Sequence, residues 1–231
     1  QLIDGDAIDQ VNTYAKDHQK AVTLIQMSES RHSAMLYEVA EAIRLRYQNL
    51  KLIGIAGPSS SGKTTFAKRL IVELLARGLS PVMISLDDYY LSPQHIKHFV
   101  DGKPDLEHIE ALDLELFNQH LKDLIELKEV TLPHFDFMTK QRKEGQKLRL
   151  KPNEVIVIEG IHGLNPRLTE VLSKEQKFQI YIGPQSQLHI DIESPIRISD
   201  MRLLRRMVRD IVFRDTPAEK TFDMWSSVRL G

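Results

Sequence analysis

The sequence predicts an α/β fold of three layers, a mostly parallel sheet between helices. Short all-apolar runs alternate with segments of helical periodicity, so strands and helices follow one another along the chain. The runs lack the polar alternation of half-exposed strands and read as strands buried on both faces. One of them passes through a glycine-rich loop straight into a helix. With 231 residues, the chain is long enough for one such domain and a small appendage.

Each element has its own signal. Residues 1–27 are polar and weakly periodic, and read as a short helix about Asp6–Lys16 followed by a strand-like Ala21–Ile25. A clearer helix, with Ser30 as its candidate cap, lines Leu36, Val39, Ala40, Ile43 and Tyr47 along one face. Leu52–Ala56 is the first buried strand, and after the loop Ala67, Leu70, Ile71 and Leu74 fall at helical spacing until Gly78. Pro81–Leu86 is a second core strand ending in Asp87-Asp88. Leu91–Glu110 is loop-like, with Pro93, Gly102 and Pro104, and a helix then carries Leu114, Phe117, Leu121 and Leu124.

Val130–Leu132 and Lys147–Leu150 pair as a small β-hairpin insertion, with the polar stretch Thr139–Gly145 between them. Val155–Ile158, ending at Glu159-Gly160, and Phe178–Ile182 complete the core strands. An arginine-rich helix of about Ile198–Phe213 follows. The expected division is a helical or linker segment at residues 1–50 and a nucleotide-binding domain at 51–231, truncated at its C-terminus. The absent initiator methionine suggests an excised piece of a longer polypeptide.

The formal net charge of −1 gives no general reason to expect nucleic acid or an anionic membrane as a partner. The absence of cysteine excludes disulfides and thiolate metal sites and fits a cytoplasmic protein. No apolar run is long enough to span a bilayer. The nine histidines show no convincing metal spacing.

Chemistry concentrates in a few places. Gly57-Pro58-Ser59-Ser60-Ser61-Gly62-Lys63-Thr64 fits G-x-x-x-x-G-K-[ST], a loop that aims backbone amides and a helix N-terminus at one anion. Lys63 then reaches the β/γ-phosphates and the Thr64 hydroxyl serves Mg²⁺, which implies a nucleoside triphosphate site. Glu159, at a buried strand end, stands where a metal-associated carboxylate belongs; its plainer role is capping a turn with Gly160. One carboxylate of Asp87 and Asp88 suits a proton acceptor for a substrate hydroxyl, against the alternative of a helix cap. On the last long helix Leu204, Met207, Val208 and Ile211 form an apolar stripe, and Arg202, Arg205, Arg206 and Arg209 lie roughly opposite. An all-arginine face suits a phosphate-closing lid better than a solvated surface. His134 and His162 lie near the site loops, in structural roles, and Phe135 and Phe137 fit either base stacking or core packing.

Taken in order, the phosphate loop through Thr65, Ser85-Leu86-Asp87-Asp88-Tyr89-Tyr90, Pro133–Phe137, Val157–His162 and Arg202–Asp210 resemble the uridine kinase and phosphoribulokinase family of P-loop kinases, over about Lys51–Gly231. The resemblance implies the P-loop NTPase fold with an arginine-rich lid helix, and ATP- and Mg²⁺-dependent transfer to the 5′-hydroxyl of a nucleoside, foremost uridine or cytidine. It makes Asp87 the catalytic carboxylate, helped by Lys63 and Arg205, and Thr64, Glu159 and Asp87 the metal-site residues. ATP would be held by Gly57, Ser59, Ser60, Ser61, Gly62, Lys63, Thr64 and Thr65, with Arg206 and Arg209 from the lid. Tyr90, Phe135 and Arg202 would border the acceptor. Glu110 falls where uridine–cytidine kinases place an aspartate for the ribose hydroxyls, and Lys140 where they carry a base-reading histidine. Those departures leave two alternatives: a kinase of another small hydroxyl-bearing metabolite, such as a phosphorylated sugar or vitamin, or a non-catalytic ATP-sensing module. The expected partner is a small-molecule acceptor, with homo-oligomerisation left open; because the family includes versions fused to other modules, the resemblance also implies fused flanking domains, with residues 1–50 as the tail of an upstream one.

Overall fold

The computed structural model describes residues 8–100, 102–136, 139, 141–183, 196–225 and 228. Its centre is a sheet of four strands, all parallel, in the order β2-β7-β1-β8: β1 Leu52–Ala56, β2 Ser80–Ser85, β7 Glu154–Glu159 and β8 Lys177–Tyr181. Alternate side chains of these strands feed two separate cores. Ile53, Ile55, Val155, Val157 and Ile180 pack with α2 (His18–Arg46) and α3 (Lys63–Ala76) on one face. Leu52, Ile84, Ile156 and Ile158 pack with α4 (Leu114–Ile125) and the base of a β-hairpin on the other. Three layers result, as the near-continuous apolar strand runs require.

The N-terminal region departs from the sequence reading. Ala21–Ile25 is not a strand; it lies inside the 29-residue helix α2, which Asp17 caps by accepting from the amides of Gln19 and Lys20. Ser30 lies within the helix and is not its cap. Ala21, Leu24 and Met27 are the half-buried positions of that stretch, a helical spacing that follows the short helix α1 (Ile8–Lys16) packed alongside. Val22 and Ile25, whose branching suggested a strand, face outward. Farther along, the expected face of Leu36, Ala40 and Ile43 is fully in the core.

The loop-like region contains β3 (Phe99–Val100) and β4 (Lys103–Pro104), a two-residue antiparallel pair. The predicted hairpin is present and longer than expected: β5 Glu129–Asp136 pairs antiparallel with β6 Gln141–Arg149, so that part of the polar stretch is strand. Its exposed strand is polar because one face of an antiparallel pair needs no core.

Helix α5 (Ile198–Arg214) is turned the opposite way from a usual surface helix. Its apolar residues Leu204, Val208 and Ile211 are 54%, 62% and 52% exposed, whereas Asp210 is 2% exposed. Asp210 accepts hydrogen bonds from Arg209 Nε and Nη2 and from the hydroxyl of Thr221 on α6 (Ala218–Asp223), and forms an ion pair with Arg206, whose Nε lies 3.4 Å away. A buried carboxylate needs such partners, and here they fix which face of α5 turns inward. No helix among the described residues is long and apolar enough to cross a membrane.

Candidate active site

The phosphate loop joins β1 to α3, and its shape follows from a few backbone constraints. A Cβ on Gly57 would lie 2.0 Å from the carbonyl oxygen of Ile182, just beyond β8, so only glycine lets the loop pass. Gly62 caps α3 at φ +99°, and Ser60 holds the left-handed conformation at φ 63° without being glycine, a strained residue inside the cradle. The amides that start α3 thereby face one cavity of about 780 Å³.

Its walls come from six parts of the chain. Ser59, Ser60, Gly62, Lys63, Thr64 and Thr65 form the floor. Asp87, from the 3₁₀ turn Leu86–Tyr89 at the end of β2, and Glu159, at the end of β7, stand on the acidic side. Parallel register places Ser85 beside Glu159 and Ile55 beside Glu159, so β1, β2 and β7 deliver their site residues at the same sheet edge. Thr64 Oγ1 donates to Glu159 Oε1 at 2.8 Å, joining the phosphate loop to that strand. Glu159 is 9% exposed. Two of the loop's hydroxyls, on Ser60 and Ser61, are buried with no protein partner; that of Ser60, on the cavity wall, suits an oxygen of an incoming phosphate.

Lys63 lies among Glu159, Asp87 and Glu107; burial pushes its ammonium below the usual lysine range, and these carboxylates oppose that shift. Its Nζ donates to the Pro58 carbonyl at 3.1 Å. The arginines of α5 lean on the same loop: Arg202 Nε reaches Ser59 O at 3.3 Å, Arg205 Nε reaches Ser60 O at 3.0 Å, and Arg206 Nη1 reaches Ser59 Oγ at 2.8 Å. Arg205 and Arg209 line the cavity, while Arg202 lies over the Trp225 ring. Gly57, Ser61, Arg202 and Arg206 stand behind the floor rather than on the cavity wall.

On the far side, Tyr90 and Phe135 form an aromatic wall with ring centroids 5.8 Å apart. Asp88 holds that wall rather than the reaction centre: its carboxylate accepts from the Phe135 amide at 3.1 Å and lies 3.0 Å from His134 Nδ1. Burial pushes the Tyr90 hydroxyl up, Asp87 and Glu107 adding to it, and that hydroxyl donates to the Leu106 carbonyl.

Glu110 is not brought to the cavity. Its carboxylate is held by His98 and Arg167, and the acid of this loop that lines the cavity is Glu107, three residues earlier. Burial pushes the Glu107 carboxyl above the usual glutamate range, chiefly opposed by Arg206. Sequence spacing did not single out Glu107, because a loop's path, not its periodicity, decides which of two acids turns inward. Leu106, Leu204 and Val208 also line the cavity unanticipated, and Lys140 lies outside the described residues.

Comparison with known proteins bears on the family and the fold. A model of the phosphoribulokinase / uridine kinase family matches residues 52–230. A uridine kinase of Macrococcus caseolyticus (strain JCSC5402) is 33% identical over 178 residues, 77% of this chain and 77% of its own length. A uridine kinase of Clostridium botulinum (strain Kyoto / Type A2) is 32% identical with the same coverage. The solved D-glycerate 3-kinase of Cryptococcus neoformans shares the fold, with a TM-score of 0.54 at 16% identity, over 84% of this chain and 85% of that one.

Proposed function

Since the chain belongs to the phosphoribulokinase / uridine kinase family and is therefore a phosphotransferase acting on a hydroxyl group, we propose that it moves the γ-phosphoryl group of ATP to the 5′-hydroxyl of a nucleoside, uridine or cytidine foremost. The observation that carries this reading is the convergence of the phosphate loop, the Thr64–Glu159 pair and Asp87 on one cavity with an aromatic wall. The donor set fits the groups it is asked to hold: amides and the unpartnered Ser60 hydroxyl for phosphate, and Thr64 with Glu159 and Asp87 for Mg²⁺. When bound, Mg²⁺ would neutralise charge on the phosphate oxygens.

Each residue then has a task. Lys63, Arg205 and Arg209 face the phosphate chain as fixed cations in a partly dry site, where their charge counts for more than in water. Asp87 orients the acceptor hydroxyl and takes its proton as the new O–P bond forms. Tyr90 and Phe135 pack against the planar acceptor. Glu107 accepts hydrogen bonds from the ribose hydroxyls, the task that the resemblance gave to Glu110.

Steady-state assays over a panel of acceptors test the proposal. Turnover with uridine or cytidine is expected; turnover only with phosphorylated sugars or other non-nucleosides would overturn it. Background ATP hydrolysis with every acceptor would favour a sensing module. The Glu107 role has its own signature. Its ionised form accepts hydrogen bonds, and burial raises its pKa. Acceptor KM should therefore rise as the pH falls through that raised value, which lies above the usual glutamate range. Glu107→Gln should flatten this dependence, with a KM at least about tenfold higher at neutral pH and a smaller change in kcat. A parallel rise in the variant and the parent would remove Glu107 from the acceptor site.

A further inference from the structure

The loop between β2 and α4 doubles back through the short β3–β4 pair, with the Asp105 amide donating to the His98 carbonyl at 2.8 Å. This brings together residues that sequence spacing kept apart. The imidazole rings of His98 and His108 stack with centroids 3.7 Å apart. His98 Nε2 lies 2.8 Å from Glu110 Oε2. One potential ligand atom from each of these residues lies within 4.8 Å of the others, the one such trio among the described residues. None of the three lines the candidate active-site cavity, so that site does not account for them.

We propose that His98, His108 and Glu110 bind a transition-metal ion of the zinc type, at a site separate from the phosphate cradle. The donor chemistry selects the ion. Two imidazoles and one carboxylate suit Zn²⁺, whereas Mg²⁺ asks for oxygen donors. The spacing fits as well. Tetrahedral bonds of about 2.0–2.1 Å put ligand atoms roughly 3.3–3.4 Å apart. The His98–Glu110 pair is already closer than that, and since all three atoms lie within 4.8 Å of one another, the contraction needed is at most about 1.5 Å.

The surroundings also orient the donors. Arg167 Nη2 holds Glu110 Oε1 at 3.1 Å, which leaves Oε2 turned toward the imidazoles. His108 Nδ1 accepts from the Glu110 amide at 3.2 Å, a long bond. Coordination of His108 through either nitrogen gives up that bond, since metal at Nε2 would leave a proton on Nδ1. Three protein ligands on a partly exposed loop leave a fourth position for water. The bound ion would tie down the loop that carries Leu106 and Glu107 to the cavity.

Zinc titration of the full chain by calorimetry, without ATP or acceptor, tests the site independently of the kinase reading. The Glu159→Gln variant serves as background so that the phosphate cradle is not counted. One equivalent of Zn²⁺ in the micromolar range is expected, weakened at least about tenfold by His98→Gln and by His108→Gln, and unchanged by His134→Gln. Co²⁺ added to the parent protein should give the visible absorption of a four-coordinate ion, a readout that does not depend on any variant folding. Zinc binding that is absent, that is insensitive to both histidine variants, or that disappears with Glu159→Gln would overturn the proposal.

Discussion

Asp87→Asn is expected to lower kcat by about 10³–10⁴-fold while leaving the Kd for ATP within about threefold of the parent. The expectation follows from where the carboxylate sits. Asp87 is exposed on the cavity wall opposite the phosphate loop, at the tip of a turn whose backbone is held by the Asp87 amide donating to Ser85 Oγ. Replacing a carboxylate oxygen by an amide nitrogen keeps that turn and its volume but removes the group that can accept a proton. The amides and Lys63, which would grip the phosphates, are untouched. Single-turnover rates and ATP binding, measured on the same preparation, separate the two effects. Equal losses of ATP affinity and rate would make Asp87 structural or purely metal-bound, with no part in handling the acceptor proton.

How far such a site can be read from sequence depends on whether the signal is local. Asp87 and Glu159 were legible because each directly follows a short apolar run, Lys63 because its glycine-rich loop does, and parallel strands deliver their ends to the same edge of the sheet. The core faces of α3 and α4 were legible for a similar reason: Leu70 and Leu74, or Phe117, Leu121 and Leu124, repeat at the helical period. Other features depend on tertiary context. Val22 and Ile25 carry strand propensity, but the neighbouring α1 rewards the helical spacing of Ala21, Leu24 and Met27.

The lid helix is the clearest case of pattern without direction. Its two faces were plain from the spacing, yet amphipathicity alone would send Leu204, Val208 and Ile211 inward. Asp210 reverses this, because a buried carboxylate draws Arg206 and Arg209 with it. The loop acids follow the same logic. Glu107 and Glu110 are equivalent in composition, and the engagement of Glu110 by His98 and Arg167 is a tertiary event that no local spacing encodes.

Gly57→Ala is expected to abolish nucleotide binding more completely than its single methyl suggests, with at least about a hundredfold rise in the Kd for ATP. The added Cβ would sit 2.0 Å from Ile182 O and 2.9 Å from Ser61 Oγ. Neither neighbour can yield without cost. Ile182 is pinned to the first strand by its amide, which donates to Ala56 O at 2.7 Å, so relief must come from shifting the end of β8 or the phosphate loop itself. Moving the loop misaligns the amides that define the phosphate site, and the overpacking should also cost about 1–3 kcal/mol of stability. Gly62→Ala provides the internal comparison. At Gly62 the nearest obstacle is Arg205 Nη2 at 3.6 Å, an ordinary contact, and the penalty is the left-handed φ of +99°, about 1–2 kcal/mol. That strain lowers Tm but leaves room for phosphate, so Gly62→Ala should retain measurable ATP binding where Gly57→Ala does not. Thermal melts and ATP titrations of both variants check the order. ATP binding by Gly57→Ala at parental affinity would mean that the approach of Ile182 to the loop is not what shapes the cradle.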